Sequence, residues 1–478
     1  MSSQSAQPGF STPSTHFSSH VDPVIEQALA EQRLVGAVVL VAQEGKLVYH
    51  RAAGSADREA SRAMTEDTLF RLASVSKPIV STAAMALVAQ GRLDLDEDIR
   101  RWLPDFRPAR PNGATTSITP RQLLSHTSGL GYRFFESDDH GPYSLAGVSD
   151  GMDHSAITLA ENLRRLGSVP LLYPPGSSWG YSLAIDVLGA IIERVCDQTL
   201  AQAVHQLVTG PLKMNDTAFI ARDARRLAAA YVNDTPTPRR MREQDIVSPF
   251  AGAVGIRYAP ARANDPNAFP SGGAGMVGGA HDFLRLLEVL RQGGQPLLPR
   301  ALVREMSRDH TAGLDLPNAP GFGFGLGFSV LRDPLAAASP ESPGTWRWGG
   351  AYGHSWFVDH PRKLSVVAFT NTLYEGMSGR FVTDLRDAIY GVSTGGNAHE
   401  RRPNPVFHRA GTVRFVHGRV WRGRYSARDH GPLRHQRGAG GLAGWAVRLG
   451  RGGARAVHGA MALTLSTARR ARRRLAGL

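Results

Sequence analysis

The pattern of apolar and polar positions predicts strands near both ends of the chain, with helices between them. Near the amino terminus, an apolar run over residues 35–42, a polar turn that contains a glycine, and a second run over residues 47–53 predict a β-hairpin. One helix is predicted before this hairpin, over residues 22–32. Another is predicted from Ser74 to Gly91, where the glycine can cap the carboxyl end of the helix.

The second half of the chain predicts helices followed by further strands. Residues 119–265 favour helices joined by long loops rich in Gly, Pro and Asp, and a helix is also predicted over residues 281–291. Four strands and a final helix are then predicted over residues 322–331, 345–348, 355–359, 364–370 and 383–390. This order favours one sheet built from both chain ends, with a helical insertion and a cleft at the junction.

The same pattern, together with composition, divides the chain into four parts. Residues 21–90 and 266–391 are expected to form an α/β sheet domain, and residues 91–265 a helical domain. Residues 1–20, rich in Ser, Thr, Gln and Pro, and residues 392–478, rich in Arg and Gly, are expected to be mostly disordered.

The net charge changes this picture only at the carboxyl end. The 478 residues carry a formal charge of +14, which by itself would favour a nucleic-acid or anionic-membrane partner. Residues 401–478 hold 18 Arg, no Lys and a single acid, Asp429, so this tail carries +17. The preceding 400 residues hold 37 basic and 40 acidic side chains and carry −3. The basic charge therefore belongs to the tail and says little about the rest of the chain.

Several classes of protein are disfavoured by what the sequence lacks. Its one cysteine, Cys196, excludes a disulfide framework and a cysteine-based zinc site, and its apolar helical neighbourhood predicts burial. No metal-binding or cofactor-binding motif is found, so we expect neither a metal nor a cofactor. No segment resembles a secretory signal or is apolar enough to span a membrane, so we expect a cytoplasmic protein.

The sharpest chemical feature is the run Ser74-Val75-Ser76-Lys77. Positions three apart on a helix share one face, so Ser74 and Lys77 are expected to lie side by side at the amino end of the predicted helix. A serine hydroxyl needs a neighbouring base to become a nucleophile, and a lysine desolvated in a cleft can serve as that base. The spacing alone is a weak indication, since a surface Ser and Lys on one helix would give it too. The mostly apolar flanks favour burial, and a buried lysine needs a reason.

Two other segments carry weaker indications of chemistry. Tyr181 lies at a predicted loop-to-helix junction, from which its hydroxyl can enter a cleft and relay a proton. In Trp348-Gly349-Gly350-Ala351, glycines in a strand allow close approach, and free N–H groups can stabilise an oxyanion. Taken in isolation, a packed tyrosine and a bulged strand with a core tryptophan are the commoner interpretations.

A second serine motif has to be weighed against Ser74. The run Gly147-Val148-Ser149-Asp150-Gly151 matches the G-x-S-x-G pattern, which requires a buried strand before the serine and a helix directly after it. The neighbouring residues are rich in Asp, Gly and Pro and predict a loop, so Ser149 is not favoured as the nucleophile.

In this order and spacing, the motifs at Ser74, Tyr181 and Trp348 resemble those of the serine β-lactamase and penicillin-binding-protein superfamily. Residues 122–130 and 271–276 resemble stretches of its class C β-lactamase-like branch. Within that branch the chain is most similar to the family VIII carboxylesterases.

The resemblance covers residues 22–391 and implies both a fold and a set of roles. The implied fold is α+β and β-lactamase/transpeptidase-like, with an antiparallel sheet flanked by helices and an all-helical domain. Ser74 would be the acylated nucleophile, Lys77 the general base or a partner in it, and Tyr181 would share proton transfer and protonate the leaving group. The N–H groups of Ser74 and Ala351 would form the oxyanion hole. In family VIII esterases a G-x-S-x-G serine is often present without being catalytic.

The departures from the class C pattern indicate which substrates fit. Leu183 stands where class C enzymes have Asn in Tyr-x-Asn, and Trp348-Gly349-Gly350 stands where they have Lys-Thr-Gly. A β-lactam carboxylate would lose a charge-assisted hydrogen bond of about 1.5–3 kcal/mol, whereas a neutral short-chain ester would lose nothing. We expect Tyr132 to form a pocket wall opposite Trp348, so that these five residues bind the substrate.

The sequence therefore predicts a serine carboxylesterase that cleaves small-molecule, short-chain esters, with the acetyl ester on a cephalosporin side chain as one candidate. A β-lactamase or a D-alanyl-D-alanine carboxypeptidase is the first alternative. The second alternative is a protein whose Arg-rich tail binds nucleic acid or an anionic surface, and we do not favour it. We expect the protein to bind no metal and to have no membrane-spanning segment.

Overall fold

A computed structural model describes residues 15–314 and 316–392. The carboxyl-terminal tail, for which disorder and a nucleic-acid contact were considered, lies outside these residues except for Val392. Among the described residues, no helix has the length and apolar character needed to cross a bilayer.

The centre of the fold is an eight-stranded antiparallel sheet to which both chain ends contribute. In spatial order its strands are β10 (Phe322–Phe324), β11 (Ser329–Leu331), β12 (Trp346–Gly350), β13 (His354–Asp359), β14 (Leu364–Thr370), β1 (Gly36–Gln43), β2 (Lys46–Asp57) and β3 (Arg62–Ala63). Strands β1 and β14 join the two halves of the sheet, with Ala37 opposite Thr370 and Gln43 opposite Leu364. The prediction of one sheet built from both ends is confirmed.

Three two-stranded ribbons complete the β structure of the described residues. They pair β4 (Leu69–Arg71) with β9 (Val277–Gly279), β5 (Tyr231–Val232) with β6 (Arg239–Arg240), and β7 (Asp245–Val247) with β8 (Ile256–Tyr258). None of the three ribbons was predicted, because strands of two or three residues are too short to show a period of two.

Eleven α-helices are formed by the described residues. They are α1 (Thr15–Ala30), α2 (Ser76–Ala89), α3 (Pro120–Leu124), α4 (Pro142–Leu145), α5 (Leu159–Gly167), α6 (Ala184–Cys196), α7 (Leu200–Val204), α8 (Ala280–Arg291), α9 (Arg300–Ser307), α10 (Leu373–Ser378) and α11 (Arg380–Ile389). Helices α1 and α11 pack on one face of the sheet, together with Val39 and Val41. Helices α2 and α8 belong to the other core, which contains Val38 and Leu40. Alternate residues of β1 therefore serve opposite layers, as the pleat requires.

Some sequence expectations are corrected by these elements. Residues 15–20 were expected to be disordered but form the start of α1, because Phe17, Val21 and Ile25 recur at helical spacing and are buried against the sheet. The strand expected over residues 322–331 is two strands, since Gly327 adopts a φ of 108° at the turn between them.

Two further expectations concern residues 91–265 and the cysteine. Cys196 is partly exposed at the end of α6 instead of buried. The segment 91–265 contains α3 to α7 and also β5 to β8. Its standing as a separate helical domain, beside a sheet domain of residues 21–90 and 266–391, stays a prediction.

Candidate active site

Ser74 lies in a sharp turn between β4 and α2. A single turn of 3-10 helix over Ala73–Val75 leads into α2, and the N–H of Leu72 donates to the carbonyl of Met276 at 2.8 Å. Ala73 has a φ of 45°, a left-handed conformation that costs energy for a residue with a side chain and persists only where the surrounding structure holds it. Ser74 thus stands at a helix amino end, where the first N–H groups have no partner within the helix.

Two side chains contact the Ser74 hydroxyl. The Nζ of Lys77 lies 3.2 Å from Ser74 Oγ, as the spacing on one helical face predicts. The hydroxyl of Tyr181 lies 2.5 Å from the same oxygen, although it is 107 residues away in the sequence. The structure therefore brings together the three residues that the sequence analysis singled out for catalysis.

Lys77 is fully buried, and each of its three N–H donors has an acceptor. Besides Ser74 Oγ, these are the Tyr132 hydroxyl at 2.9 Å and the Gly273 carbonyl at 2.8 Å. Nζ also lies 4.6 Å from the ring centroid of Tyr181 and 5.5 Å from that of Tyr132, within the range of cation–π attraction. The ammonium is therefore held by neutral groups, with no carboxylate in direct contact.

Asp186 is a buried acid in the layer behind Lys77. One of its carboxylate oxygens accepts a hydrogen bond from Ser271 Oγ at 2.6 Å. A Cβ at Gly273 would lie 2.6 Å from its other oxygen and 3.3 Å from Lys77 Nζ, so only a glycine fits between the two charges. Burial raises the pKa of Asp186, while the Ser271 hydroxyl and the charge of Lys77 lower it. The sequence analysis missed Asp186, although an acid within the apolar helix α6 was a usable indication.

Tyr132, which we expected only as a pocket wall, contacts Lys77 directly. Its hydroxyl contacts Lys77, and its ring stacks on Phe134 with centroids 4.5 Å apart. Burial raises the pKa of Tyr132 well above its usual range, as do the neighbouring Tyr181 and Asp186. Its phenol is therefore neutral at physiological pH and can accept the lysine hydrogen bond without carrying charge.

The Trp348 segment lies beside Tyr181. The indole N–H of Trp348 is 3.4 Å from the Tyr181 hydroxyl, and the two ring centroids are 5.1 Å apart. A Cβ at Gly350 would lie 2.4 Å from the Leu72 carbonyl, and one at Gly349 would lie 2.6 Å from the His354 carbonyl. Both glycines are thus needed for close backbone approach, and Gly350 allows β12 to pack against the turn that precedes Ser74.

Ala351 and Leu183, two other expected site residues, are both buried. Ala351 directly follows β12 and is buried. Leu183 is fully buried in the main hydrophobic core and offers no surface to a ligand in this structure. Its backbone N–H donates to the Gly131 carbonyl at 3.2 Å, which ties the segment that follows Tyr181 to the segment that precedes Tyr132.

Ser149 lies in a loop, as predicted, and its partners differ from those of Ser74. Its hydroxyl bonds Asp153 and accepts from the Gly151 N–H at 3.1 Å. Its backbone N–H donates to Asn162 at 2.8 Å. The contacts of the Ser149 hydroxyl include neither lysine nor tyrosine, so it lacks the amine and the phenol that contact Ser74.

The arrangement around Ser74 suits acyl transfer. A serine whose oxygen contacts both an amine and a phenol can lose its proton to that pair and attack a carbonyl carbon. Within residues 15–314 and 316–392, no group of three or more His, Cys, Asp or Glu side chains is placed to hold a metal ion.

A family model described as Beta-lactamase matches residues 21–390. The chain is 50% identical to Esterase EstB of Burkholderia gladioli over 382 residues, covering 80% of this chain and 97% of that protein. It is 26% identical to Lovastatin esterase of Penicillium rubens over 410 residues, covering 77% of this chain and 96% of that protein.

Among solved structures, the fold is similar to that of EstCE1, a hydrolase with promiscuous acyltransferase activity. The TM-score is 0.75 at 45% sequence identity, and the match covers 79% of this chain and 99% of that one. The family match extends over most of the chain and includes the turn at Ser74, the Tyr181 loop and strand β12. The chain therefore belongs to the β-lactamase family.

Proposed function

We propose that this serine carboxylesterase cleaves short-chain esters of small molecules through an acyl-enzyme on Ser74. The observation that carries the proposal is the double contact on Ser74 Oγ, by Lys77 Nζ at 3.2 Å and by the Tyr181 hydroxyl at 2.5 Å. Esterase EstB, which shares half of its aligned residues with this chain, is named for the same reaction class.

The proposed reaction has two halves. In the reactive form Lys77 is a neutral amine. As Ser74 Oγ attacks the ester carbonyl, its proton passes to the Lys77–Tyr181 pair, which leaves Lys77 as the ammonium, and the N–H groups of Ser74 and Ala351 receive the negative oxygen of the tetrahedral intermediate. Tyr181 then protonates the departing alcohol, which leaves the acyl group on Ser74. In the second half, water gives a proton to the same pair and attacks the acyl carbonyl, which releases the acid and restores the serine.

Trp348 supports an ester substrate over a β-lactam. It occupies the position where the resemblance places a lysine in class C β-lactamases, and it is almost completely buried against Tyr181. An indole carries no positive charge, so it cannot form the ion pair that a lysine would form with the carboxylate of a β-lactam. We propose that Trp348 and Tyr132 contact the substrate, with Gly349 and Gly350 setting the backbone path beside it.

Parallel assays with p-nitrophenyl butyrate and nitrocefin test this assignment. Wild type and Ser149→Ala should hydrolyse the ester at similar rates, and Ser74→Ala should lose that activity. Nitrocefin turnover as fast as ester turnover would favour a β-lactamase instead. An active Ser74→Ala together with an inactive Ser149→Ala would overturn the choice of nucleophile.

Acyl transfer to an alcohol is a second candidate activity. The rings of Tyr132, Tyr181 and Trp348 surround the site and are each less than a tenth exposed, so an acyl group on Ser74 would be shielded from bulk water. EstCE1 is described as having promiscuous acyltransferase activity. Adding 1-butanol during hydrolysis of p-nitrophenyl butyrate should yield butyl butyrate; formation of butyric acid alone would exclude this activity.

Two sequence predictions about the whole chain stay predictions. The cytoplasmic location can be tested by fractionation of cells that make the untagged protein. The disfavoured nucleic-acid contact can be tested by comparing DNA binding of the full chain with that of a chain ending at residue 395, over a range of salt concentrations.

A further inference from the structure

His126 is a buried residue in the stretch 122–130, next to the proposed catalytic group but outside its direct contacts. Its side chain is fully buried, and its φ of 55° lies in the left-handed region. Histidine is among the few side chains enriched in that conformation, which still carries a cost. A strained, buried histidine beside an active site calls for a physical reason.

The contacts of His126 bracket Tyr181 on both sides. Its backbone carbonyl accepts a hydrogen bond from the N–H of Gly180 at 2.9 Å. Its ring nitrogen Nδ1 lies 3.1 Å from the Oγ of Ser182. One residue thus holds both chain neighbours of Tyr181, through its main chain on one side and its side chain on the other.

The imidazole also packs against the Tyr181 ring itself. The two ring centroids are 4.9 Å apart, with the planes inclined at 54°. On its other sides the imidazole meets Phe324, with centroids 5.2 Å apart, and Trp179, at 6.3 Å. These apolar neighbours leave the imidazole little room to move, so they also restrict where the phenol of Tyr181 can lie.

His126 is poorly suited to act as an acid or base itself. Burial lowers the pKa of His126 well below its usual range, and the positive charge of Lys77 lowers it further, so the ring is neutral at physiological pH. Its Nε2 is buried and has no hydrogen-bond partner among the described residues. Any effect on the reaction therefore has to pass through another residue.

We propose that His126 is a positioning residue that holds the Tyr181 hydroxyl on Ser74 for protonation of the leaving alcohol. This inference rests on the role proposed above for Tyr181. It assigns a function to the 122–130 stretch, which the sequence analysis used only as a sign of resemblance.

The choice of ester tests this inference directly. An alkoxide needs a proton in order to leave, whereas p-nitrophenolate does not, so a badly placed proton donor slows hydrolysis of ethyl butyrate more than that of p-nitrophenyl butyrate. Relative to wild type, Tyr181→Phe and His126→Phe should each lower kcat/KM, which reports formation of the acyl-enzyme, roughly tenfold more for the ethyl ester than for the p-nitrophenyl ester. Deacylation of the butyryl-enzyme is common to both esters and is affected equally.

Two further variants separate positioning from a general loss of structure. Ser182→Ala removes the hydrogen-bond partner of the imidazole while the buried ring stays, and it should show the same selective loss. His126→Asn suits the left-handed backbone and keeps a polar atom near the position of Nδ1. It should therefore recover most of the extra loss of ethyl ester hydrolysis that His126→Phe shows.

The outcomes distinguish the inference from the proposed function. Tyr181→Phe could slow the ethyl ester more than the p-nitrophenyl ester while Ser182→Ala and His126→Phe slow both esters equally. In that case the inference about His126 is wrong and the role of Tyr181 stands. If Tyr181→Phe itself slows both esters equally, the role proposed for Tyr181 in protonating the leaving alcohol is wrong, and the inference is overturned with it.

Discussion

The hydroxyl of Tyr132 accepts a hydrogen bond from the Nζ of Lys77 at 2.9 Å. With Ser74 Oγ and the Gly273 carbonyl, it completes the acceptor set of a fully buried ammonium. A long, flexible side chain is thereby fixed in one orientation, which keeps its nitrogen beside the serine. Tyr132 therefore belongs to the machinery around Lys77 and is more than a wall of the pocket.

Replacing Tyr132 by phenylalanine should slow the reaction while the aromatic ring stays in place. Tyr132→Phe keeps the ring but removes a hydrogen bond to a charged group, worth about 1.5–3 kcal/mol, so kcat/KM for p-nitrophenyl butyrate should fall about 10- to 100-fold. Tyr49→Phe is a matched control, since it removes a buried tyrosine hydroxyl that bonds Asp22 away from Ser74. An unchanged kcat/KM in Tyr132→Phe would contradict this role.

Substituting each of two paired tryptophans, one in β12 and one in β13, distinguishes an effect on catalysis from an effect on packing. Trp348 and Trp356 are opposite each other in the sheet, but only the indole N–H of Trp348 has Tyr181 as its recorded partner. Trp348→Phe removes a weak neutral hydrogen bond and should lower kcat about two- to tenfold. Trp356→Phe, in a ring cluster with Phe283, should lower the melting temperature and leave kcat unchanged. Equal effects of the two variants on kcat would count against the role of Trp348.

Acid should destabilise the protein through its buried histidines. Burial lowers the pKa of His354 to about 4, although its hydrogen bond to the Arg71 carbonyl works in the opposite direction. Between pH 6.5 and 4 the unfolded chain then binds more protons than the folded chain, so the free energy of unfolding falls as the pH is lowered through this window. For this one group the loss is about 2 kcal/mol at pH 5.

Melting temperatures at pH 7.5 and pH 5 measure this effect. The drop between the two should be smaller in His354→Gln than in wild type, because glutamine does not titrate. His140→Gln, at an exposed position, should show the same drop as wild type. A drop in His354→Gln as large as that of wild type would show that His354 is not responsible.

The sequence was most informative where chemistry and local spacing coincide. Ser74 and Lys77 are three positions apart on one helix, so their contact could be predicted without knowledge of the fold. Gly273 contacts Lys77 across 196 residues of sequence, and no local pattern encodes a contact of that range. His126 was missed for the same reason, since it acts through segments distant in the sequence. Asp186 was missed although its place in the apolar helix α6 is a local indication.

The same limit applies to the fold. Long apolar runs such as β1 and β14 were predicted closely, because buried strands show continuous hydrophobicity. The start of α1 was missed because Phe17 stands alone among polar residues, and its burial depends on the sheet beneath it. Residues whose state is set by tertiary contacts are those that the sequence analysis misplaced.

The central claim is that Ser74 carries the acyl group, and covalent labelling tests it most directly. The full chain is treated with a fluorophosphonate ester, which modifies activated serines, and the adduct is located by mass spectrometry of the digested protein. We predict one adduct, on the peptide that contains Ser74, present in wild type and Ser149→Ala and absent from Ser74→Ala. An adduct on Ser149, or labelling that persists in Ser74→Ala, would contradict the account.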